Sequence, residues 1–317
     1  MSKLDNELIN MKNIAISGHI NPDGDCVGAC LGLYNYILKN FEGVNVDVYL
    51  EPIPAIFDFL KGSSDIKNQY NENNTYDLYI ALDCSDIKRL GIFGDYYKKA
   101  KHTLCIDHHI TNDESFADVC YIQPHRSSAC ELLYTLMDSE KINKDIAECI
   151  YTGMVTDSGV FQYGSTTSET MNIAGKMMDM GIDFPTIVNR VFFQKTFTQN
   201  KMLARAINNA KVAADGKILY SIVTKKEMDE CNAKPKDLEG CVSHLRSTKG
   251  VVASVLMYQN PEGTFKVSLR SEKETDVASI AAKFGGGGHK NAAGCTILEN
   301  PEEKMKEIVS MIEKELN

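Results

Sequence analysis

Apolar residues recur along this chain with two periods, and the dominant period changes with position. In the first 122 residues, short β-branched runs at 13–17, 46–50, 77–82, 103–106 and 119–122 read as strands. The stretch 27–38 places Cys30, Leu31, Tyr34, Ile37 and Leu38 at helical spacing, so a helix follows the first strand. Strands alternating with helices predict a mostly parallel sheet covered by helices. From Ser127 the texture turns helical over 130–137, 146–154 and 168–180, and Gly181 reads as the stop of the last helix.

Residues 184–214 carry no strand pattern, and FTQNKMLARAINNAKVAA within them reads as a helix joining two domains. Strand patterns resume at 218–224, 251–258 and 265–269. A glycine cluster, FGGGGHKNAAG, follows, then a short strand at 295–298 and a charged amphipathic helix over 301–315. The expected fold is α/β in two domains: residues 1–185, a helical linker 186–214, and a smaller α/β domain 215–317, with the active site in the cleft. A length of 317 residues suits two separate cores.

Composition narrows the function classes. Hydrophobic residues at 43% and charged residues at 24% are those of an ordinary globular chain. The first residues lack the apolar run of a signal peptide, and no segment approaches the 18 to 20 apolar residues of a membrane span, so a cytoplasmic location is expected. Ten scattered cysteines without a C-x2-C pair fit reduced thiols. A net charge of -9 argues against duplex DNA as the main ligand, whereas a small anion held by metal ions remains compatible.

The candidate chemistry gathers at strand ends. The first strand runs into GHINPDGDCVGA, which supplies His19, Asp23 and Asp25 in one loop. Asp83 ends YIALD, Asp107, His108 and His109 end LCIDHH, and Asp157 lies in GMVTDSGVF. In open α/β sheets ligands gather beyond the carboxyl ends of the strands. Imidazole and carboxylate donors suit manganese, iron or zinc. A lone aspartate at a strand end usually caps a turn; the ordered recurrence of four such signals singles these out. So many adjacent carboxylates would repel one another unless cations were bound.

These four segments resemble the ordered motifs of the DHH phosphoesterase superfamily, and the resemblance covers nearly the whole chain. SLRS at 268–271 and FGGGGHKNAAG resemble its C-terminal DHH-associated domain. The superfamily includes family II pyrophosphatases, a single-strand DNA exonuclease, and small oligoribonucleases that also hydrolyse 3'-phosphoadenosine 5'-phosphate (pAp). The resemblance implies two divalent ions, most readily Mn(II): His19, Asp23 and Asp83 for one, and Asp25, Asp83, His108 and Asp157 for the other, with Asp83 bridging. It implies that Asp107 orients His108, that His109 faces the substrate, and that a hydroxide held at the two-metal site attacks phosphorus.

The same resemblance makes Arg270, Gly286, Gly287, Gly288 and His289 the grip on a distal phosphate or ribose, and suggests a homodimer. The implied substrates are short RNA, dinucleotides and pAp; a cyclic di-AMP or pApA phosphodiesterase shares these motifs. A non-catalytic nucleotide sensor is the reading from another class, although every expected ligand type is present. One departure from the pattern is PHRSSACELL, where Arg126, Ser127 and Ser128 either contact phosphate or cap a helix.

Overall fold

The computed structural model describes residues 2–112, 115, 117–272 and 275–316. The chain divides into two compact units, residues 1–194 and 195–317. The first contains α1 (Lys3–Leu8), β1 (Asn13–Ser17), α2 (Gly24–Asn40), β2 (Asn45–Tyr49), β3 (Leu78–Leu82), α3 (Gly94–Lys99), β4 (His102–Asp107), β5 (Val119–Ile122), α4 (Ala129–Leu136), α5 (Lys144–Asp157), α6 (Ser168–Asp179) and α7 (Phe184–Val188).

Its five strands pair in parallel in the order β2-β1-β3-β4-β5. Strand residues alternate between two buried faces, which is why the runs look almost continuously apolar. Ile14, Ile16, Leu78, Ile80, Leu82, Leu104 and Ile106 enter one core with α2, α4 and α5. Ala15, Tyr49, Tyr79 and Ala81 enter a tyrosine-rich core that also holds Tyr76, Phe93 and Tyr96. The chain leaves β1 for β2 on one side and returns to β3 on the other. The carboxyl ends of β1 and β3 therefore flank the switch point where a crevice opens.

The second unit contains α8 (Phe197–Asn208), β6 (Lys211–Ala213), β7 (Ile218–Val223), α9 (Lys225–Glu230), α10 (Cys241–Arg246), β8 (Ala253–Gln259), β9 (Phe265–Ser271), α11 (Val277–Ala282), β10 (Gly287–His289), β11 (Ala292–Ile297) and α12 (Pro301–Leu316). Its mixed sheet has the order β10-β11-β9-β8-β7-β6, with β7 and β8 parallel and the other neighbours antiparallel. Ile280, Met305, Ile308 and Ile312 cover one face. Met202 and Ala206 of α8 pack with Val242, Leu256 and Tyr258 on the other.

The α/β architecture is as expected from the sequence. Two strands were not anticipated: β6, in the stretch without a strand pattern, and β10, inside the glycine run. Each has three residues, too few for alternation to register, and each takes its extended form by pairing with a neighbouring strand. The helix at 197–208 packs into the core of the second unit. Among the described residues, no helix is long and apolar enough to cross a membrane.

Close contact between α2 and α5 depends on Gly28, where a Cβ would lie 2.5 Å from the Cys149 carbonyl oxygen. Gly28→Ala is expected to destabilise the fold by about 1–3 kcal/mol through overpacking. Gly175→Ala on α6, where nothing lies within 4 Å, should instead stabilise by roughly 0.5–1 kcal/mol through helix propensity. Urea unfolding of both variants checks the opposite signs.

Candidate metal centre

The switch point carries the polar side chains. Asp23 is the N-cap of α2, its Oδ1 accepting the N–H groups of Asp25 and Cys26 at 3.1 Å each. That cap holds the loop so that His19 and Asp25 face inward, at 5% and 1% exposure. Asp83 follows β3 with a left-handed backbone, φ +53°, an uncommon conformation for a residue with a Cβ. Its N–H donates to the Ile106 carbonyl at 3.0 Å, tying it to β4 just before Asp107. Asp157 is the last residue of α5, one turn beyond the apolar periodicity that marks that helix in the sequence.

Three groups of donor atoms converge: His19, Asp23 and Asp83; Asp25, His108 and Asp157; and Asp83, His108 and His109. His19 Nε2 lies 3.7 Å from Asp23 Oδ1 and 3.4 Å from Asp83 Oδ2. His108 Nε2 lies 3.8 Å from Asp25 Oδ2, 3.6 Å from Asp83 Oδ1 and 3.5 Å from Asp157 Oδ2. Most of these separations are long for hydrogen bonds. They are the spacing of donors around a shared ion: metal bonds of about 2.0–2.2 Å at angles of 90–120° put donor atoms roughly 3–3.8 Å apart. Asp83 Oδ1 is buried without a hydrogen-bond partner among the described residues, and it faces both His108 and His109. A divalent cation fits this donor set and would satisfy that oxygen.

Backbone groups orient the ligands. A carbonyl can only accept, so His19 Nδ1 donates to the Ile20 oxygen at 2.8 Å and His108 Nδ1 to the Arg126 oxygen at 3.2 Å. Both rings thereby turn Nε2 toward the carboxylates, as the nitrogen that would coordinate an ion once it carries no proton. Asp25 accepts the N–H groups of Ala129 at 2.6 Å and Cys130 at 2.9 Å, at the positive end of α4. Ser128 caps that helix by accepting the Glu131 N–H, which makes capping its role.

The expected link from Asp107 to the His108 ring is not formed. Asp107 Oδ1 instead takes His109 Nδ1 at 2.7 Å and the N–H of His108 at 2.9 Å, because the chain turns immediately after β4 and brings the second imidazole back over the carboxylate.

Electrostatics show how unfavourable the cluster is without cations. Burial, then the carboxylates of Asp83, Asp157 and Asp23, push Asp25 well above the usual carboxylate range. Burial also raises Asp83, and burial with the charges of Asp83 and Asp23 raises Asp157 to about 6 despite His108. Burial opposes charge on His19, but the carboxylates of Asp23 and Asp83 outweigh it and lift His19 to about 11. Asp107 raises His109 against the effect of burial.

The second unit holds a cavity of about 520 Å³ lined by Lys236, Tyr258, Lys266, Ser268, Arg270 and Gly287 among others. Lys266, Ser268 and Arg270 alternate along β9 and so share one sheet face. Small residues opposite them, Ala292 and Gly294 on β11, leave the floor open. Arg270 is half-buried, donates to the Leu269 carbonyl at 2.8 Å, and has no acidic partner among the described residues. Of the four glycines only Gly287 lines the cavity. Gly286 and Gly288 are needed for packing, since a Cβ would come within 2.1 Å of the Gly294 oxygen and 2.4 Å of the Ala292 oxygen. His289 is exposed and, by register, on the Arg270 face.

Sequence reasoning passed over Lys236, Lys266 and Arg89. The Arg89 carbonyl accepts the Ile20 N–H at 2.7 Å, beside His19, and its positive charge opposes protonation of His109. Its guanidinium has no acidic partner among the described residues. A lone arginine in DCSDIKRLG has no spacing to announce it; a cation near a cluster of presumed ligands was the only signal. Arg246, by contrast, pairs with Glu272 at 3.2 Å.

Residues 13–154 match the DHH family, N-terminal domain, and residues 215–317 match the DHHA1 domain. The chain belongs to the DHH phosphoesterase family, a class of hydrolases. It is similar to the bifunctional oligoribonuclease and PAP phosphatase NrnA of Thermus thermophilus, 26% identical over 304 residues, 93% of this chain and 89% of the relative. It is also similar to the cyclic-di-AMP phosphodiesterase PdeA of Listeria monocytogenes, 27% identical over 338 residues, 97% of this chain but 48% of the relative. The crystal structure of an exopolyphosphatase-related protein from Bacteroides fragilis has a TM-score of 0.88 and 29% identity, covering 98% of this chain and 94% of that one.

The shifts predict the pH response of the metal-free protein. Asp157 is raised, so its stabilising contribution is complete at low pH and is lost as pH rises from about 4 through about 6. His19 is raised as well, and its contribution is lost between about 6.5 and about 11. Chelator-treated protein should therefore melt at progressively lower temperature from pH 5 to pH 8, and divalent ions should restore stability most at pH 8. A melting temperature that rises over this range in chelator would contradict the assignment.

Proposed function

We propose that this chain hydrolyses short oligoribonucleotides to mononucleotides and pAp to AMP and phosphate, using two divalent ions, Mn(II) in the first instance. The observation that carries this reading is the position of Asp83, a buried carboxylate shared by two donor groups with one oxygen otherwise unpartnered. His19, Asp23 and Asp83 would hold one ion, and Asp25, Asp83, His108 and Asp157 the other. When bound, such ions supply an activated water at neutral pH and offset charge on the phosphoryl oxygens.

The remaining work falls to the chain's own groups. Asp107 holds the proton on His109 Nδ1 and favours the charged ring, so His109 is suited to contact a phosphoryl oxygen or to donate a proton to the leaving oxygen. Arg89, with no acidic partner among the described residues, is suited to the same anionic group. The cavity with Arg270, Lys236, Lys266 and Ser268 suits a distal phosphate or ribose. Similarity to NrnA over most of both chains favours nanoRNA and pAp; similarity to PdeA supports cyclic di-AMP or pApA as a second reading. Ten free cysteines suit the cytoplasm.

The test is one Mn-loaded preparation offered pAp, pApA, cyclic di-AMP, a trinucleotide RNA and pyrophosphate. Turnover of pAp and the trinucleotide is expected, with pyrophosphate untouched; no turnover of any nucleotide in Mn, Mg or Co would overturn the reading. Asp83→Ala should abolish hydrolysis. Arg89→Ala should lower kcat/KM by about 10- to 100-fold, the value of a hydrogen bond to a charged group, with metal content unchanged.

A further inference from the structure

Glu131, on the first turn of α4, is 1% exposed yet hydrogen-bonds to none of the metal-site side chains among the described residues. Its Oε1 accepts from Arg126 Nη1 at 3.0 Å. Its Oε2 accepts from the Ser127 N–H at 3.0 Å, the Ser127 hydroxyl, and the Thr170 hydroxyl of α6 at 2.9 Å. Burial disfavours the charge, but these donors outweigh it and hold the carboxyl below its usual range. A charge this deep costs several kcal/mol without such compensation, so the segment and the carboxylate hold each other in place.

What Glu131 grips is the stretch of backbone that orients two metal ligands. The Arg126 carbonyl receives the His108 Nδ1 proton. Two and three residues past Ser127, the N–H groups of Ala129 and Cys130 hold both oxygens of Asp25. Ser128 closes the same turn by accepting the Glu131 N–H at 2.9 Å. Among the described residues the Ser127 N–H has no other acceptor, whereas Arg126 is also held by Gln123, whose carbonyl takes its N–H at 3.1 Å and whose side-chain oxygen takes Nε at 2.9 Å. Glu169, which is 57% exposed, shares Arg126 Nη1 with Glu131, at 2.8 Å, and touches none of the other three donors.

We propose that Glu131 is a positioning residue for the metal centre. Its carboxylate fixes the Ser127 N–H and the Arg126 side chain, and so the segment that aims His108 and Asp25, which sets ion affinity at the Asp25–His108–Asp157 group. The inference rests on the metal-binding reading given above. Glutamine has the right shape but the wrong chemistry. Its amide NH₂ would confront either Arg126 Nη1 or the Ser127 N–H, donor against donor, while Glu169→Gln leaves all four inner donors satisfied.

Titration of metal-free protein with Mn(II), followed by the electron paramagnetic resonance of the free ion, gives affinities without any substrate. In Glu131→Gln one ion should bind about 10- to 100-fold more weakly, as expected when a group supporting metal ligands is lost. In Glu169→Gln both ions should bind as in the wild type. Excess Mn(II) should restore hydrolysis in Glu131→Gln, which a purely structural lesion would not permit. Should Glu131→Gln fail to fold, Ser127→Ala keeps the charge, deletes one hydroxyl, and should weaken the same ion by about threefold or more. Unchanged affinity in whichever of these variants folds overturns the proposal, even if melting is lowered. Absence of binding by the wild type would overturn the metal reading itself.

Discussion

Asp83 ends an apolar strand, is 2% exposed, and presents an oxygen that no donor among the described residues satisfies. Around it stand Asp25, Asp23 and Asp157, whose charges raise one another's cost. Carboxylates so gathered repel one another and are costly to bury, and His109 and His108 stand 3.5 and 3.6 Å from Asp83 Oδ1 without hydrogen-bonding it, so a bound cation would stabilise the group. The parallel sheet, the left-handed turn at Asp83 and the caps at Asp23 and Ser128 all serve this convergence. Each holds a group where repulsion alone would drive it away.

Protons are the available substitute when ions are absent. The raised values of His19 and Asp157, together with the upward pressure on Asp25, describe a site that draws protons to offset its own charge. Ion binding must then expel protons, since imidazole nitrogens and carboxylates coordinate in their deprotonated forms. Apparent metal affinity at this centre is for that reason a function of pH, steepest where these groups titrate.

Much of this was legible in the sequence. The strands 13–17 and 119–122 coincide with β1 and β5, and residues at the ends of the apolar runs do meet, since period-two burial fixes which way each strand end points. What escaped was carried by atoms that sequence does not index. The acceptor for His108 is a main-chain carbonyl of Arg126, which any residue could supply. Asp107 serves His109 because of the tightness of one turn. The three-residue strands β6 and β10 exist through their partners, and Lys236, Lys266 and Arg89 stand alone in sequence and acquire meaning only from neighbours brought near by folding.

The polar sites of the two units differ in the sign of their own charge. In the first, carboxylates create a site that is negative until cations reverse its sign, so affinity for phosphate there depends on ions. In the second, Arg270, Lys236 and Lys266 line a cavity with Glu239 as the one acidic lining residue, so it attracts anions with no cofactor at all. Arg270 strengthens that attraction, because burial makes an uncompensated guanidinium costly and a bound anion relieves the cost.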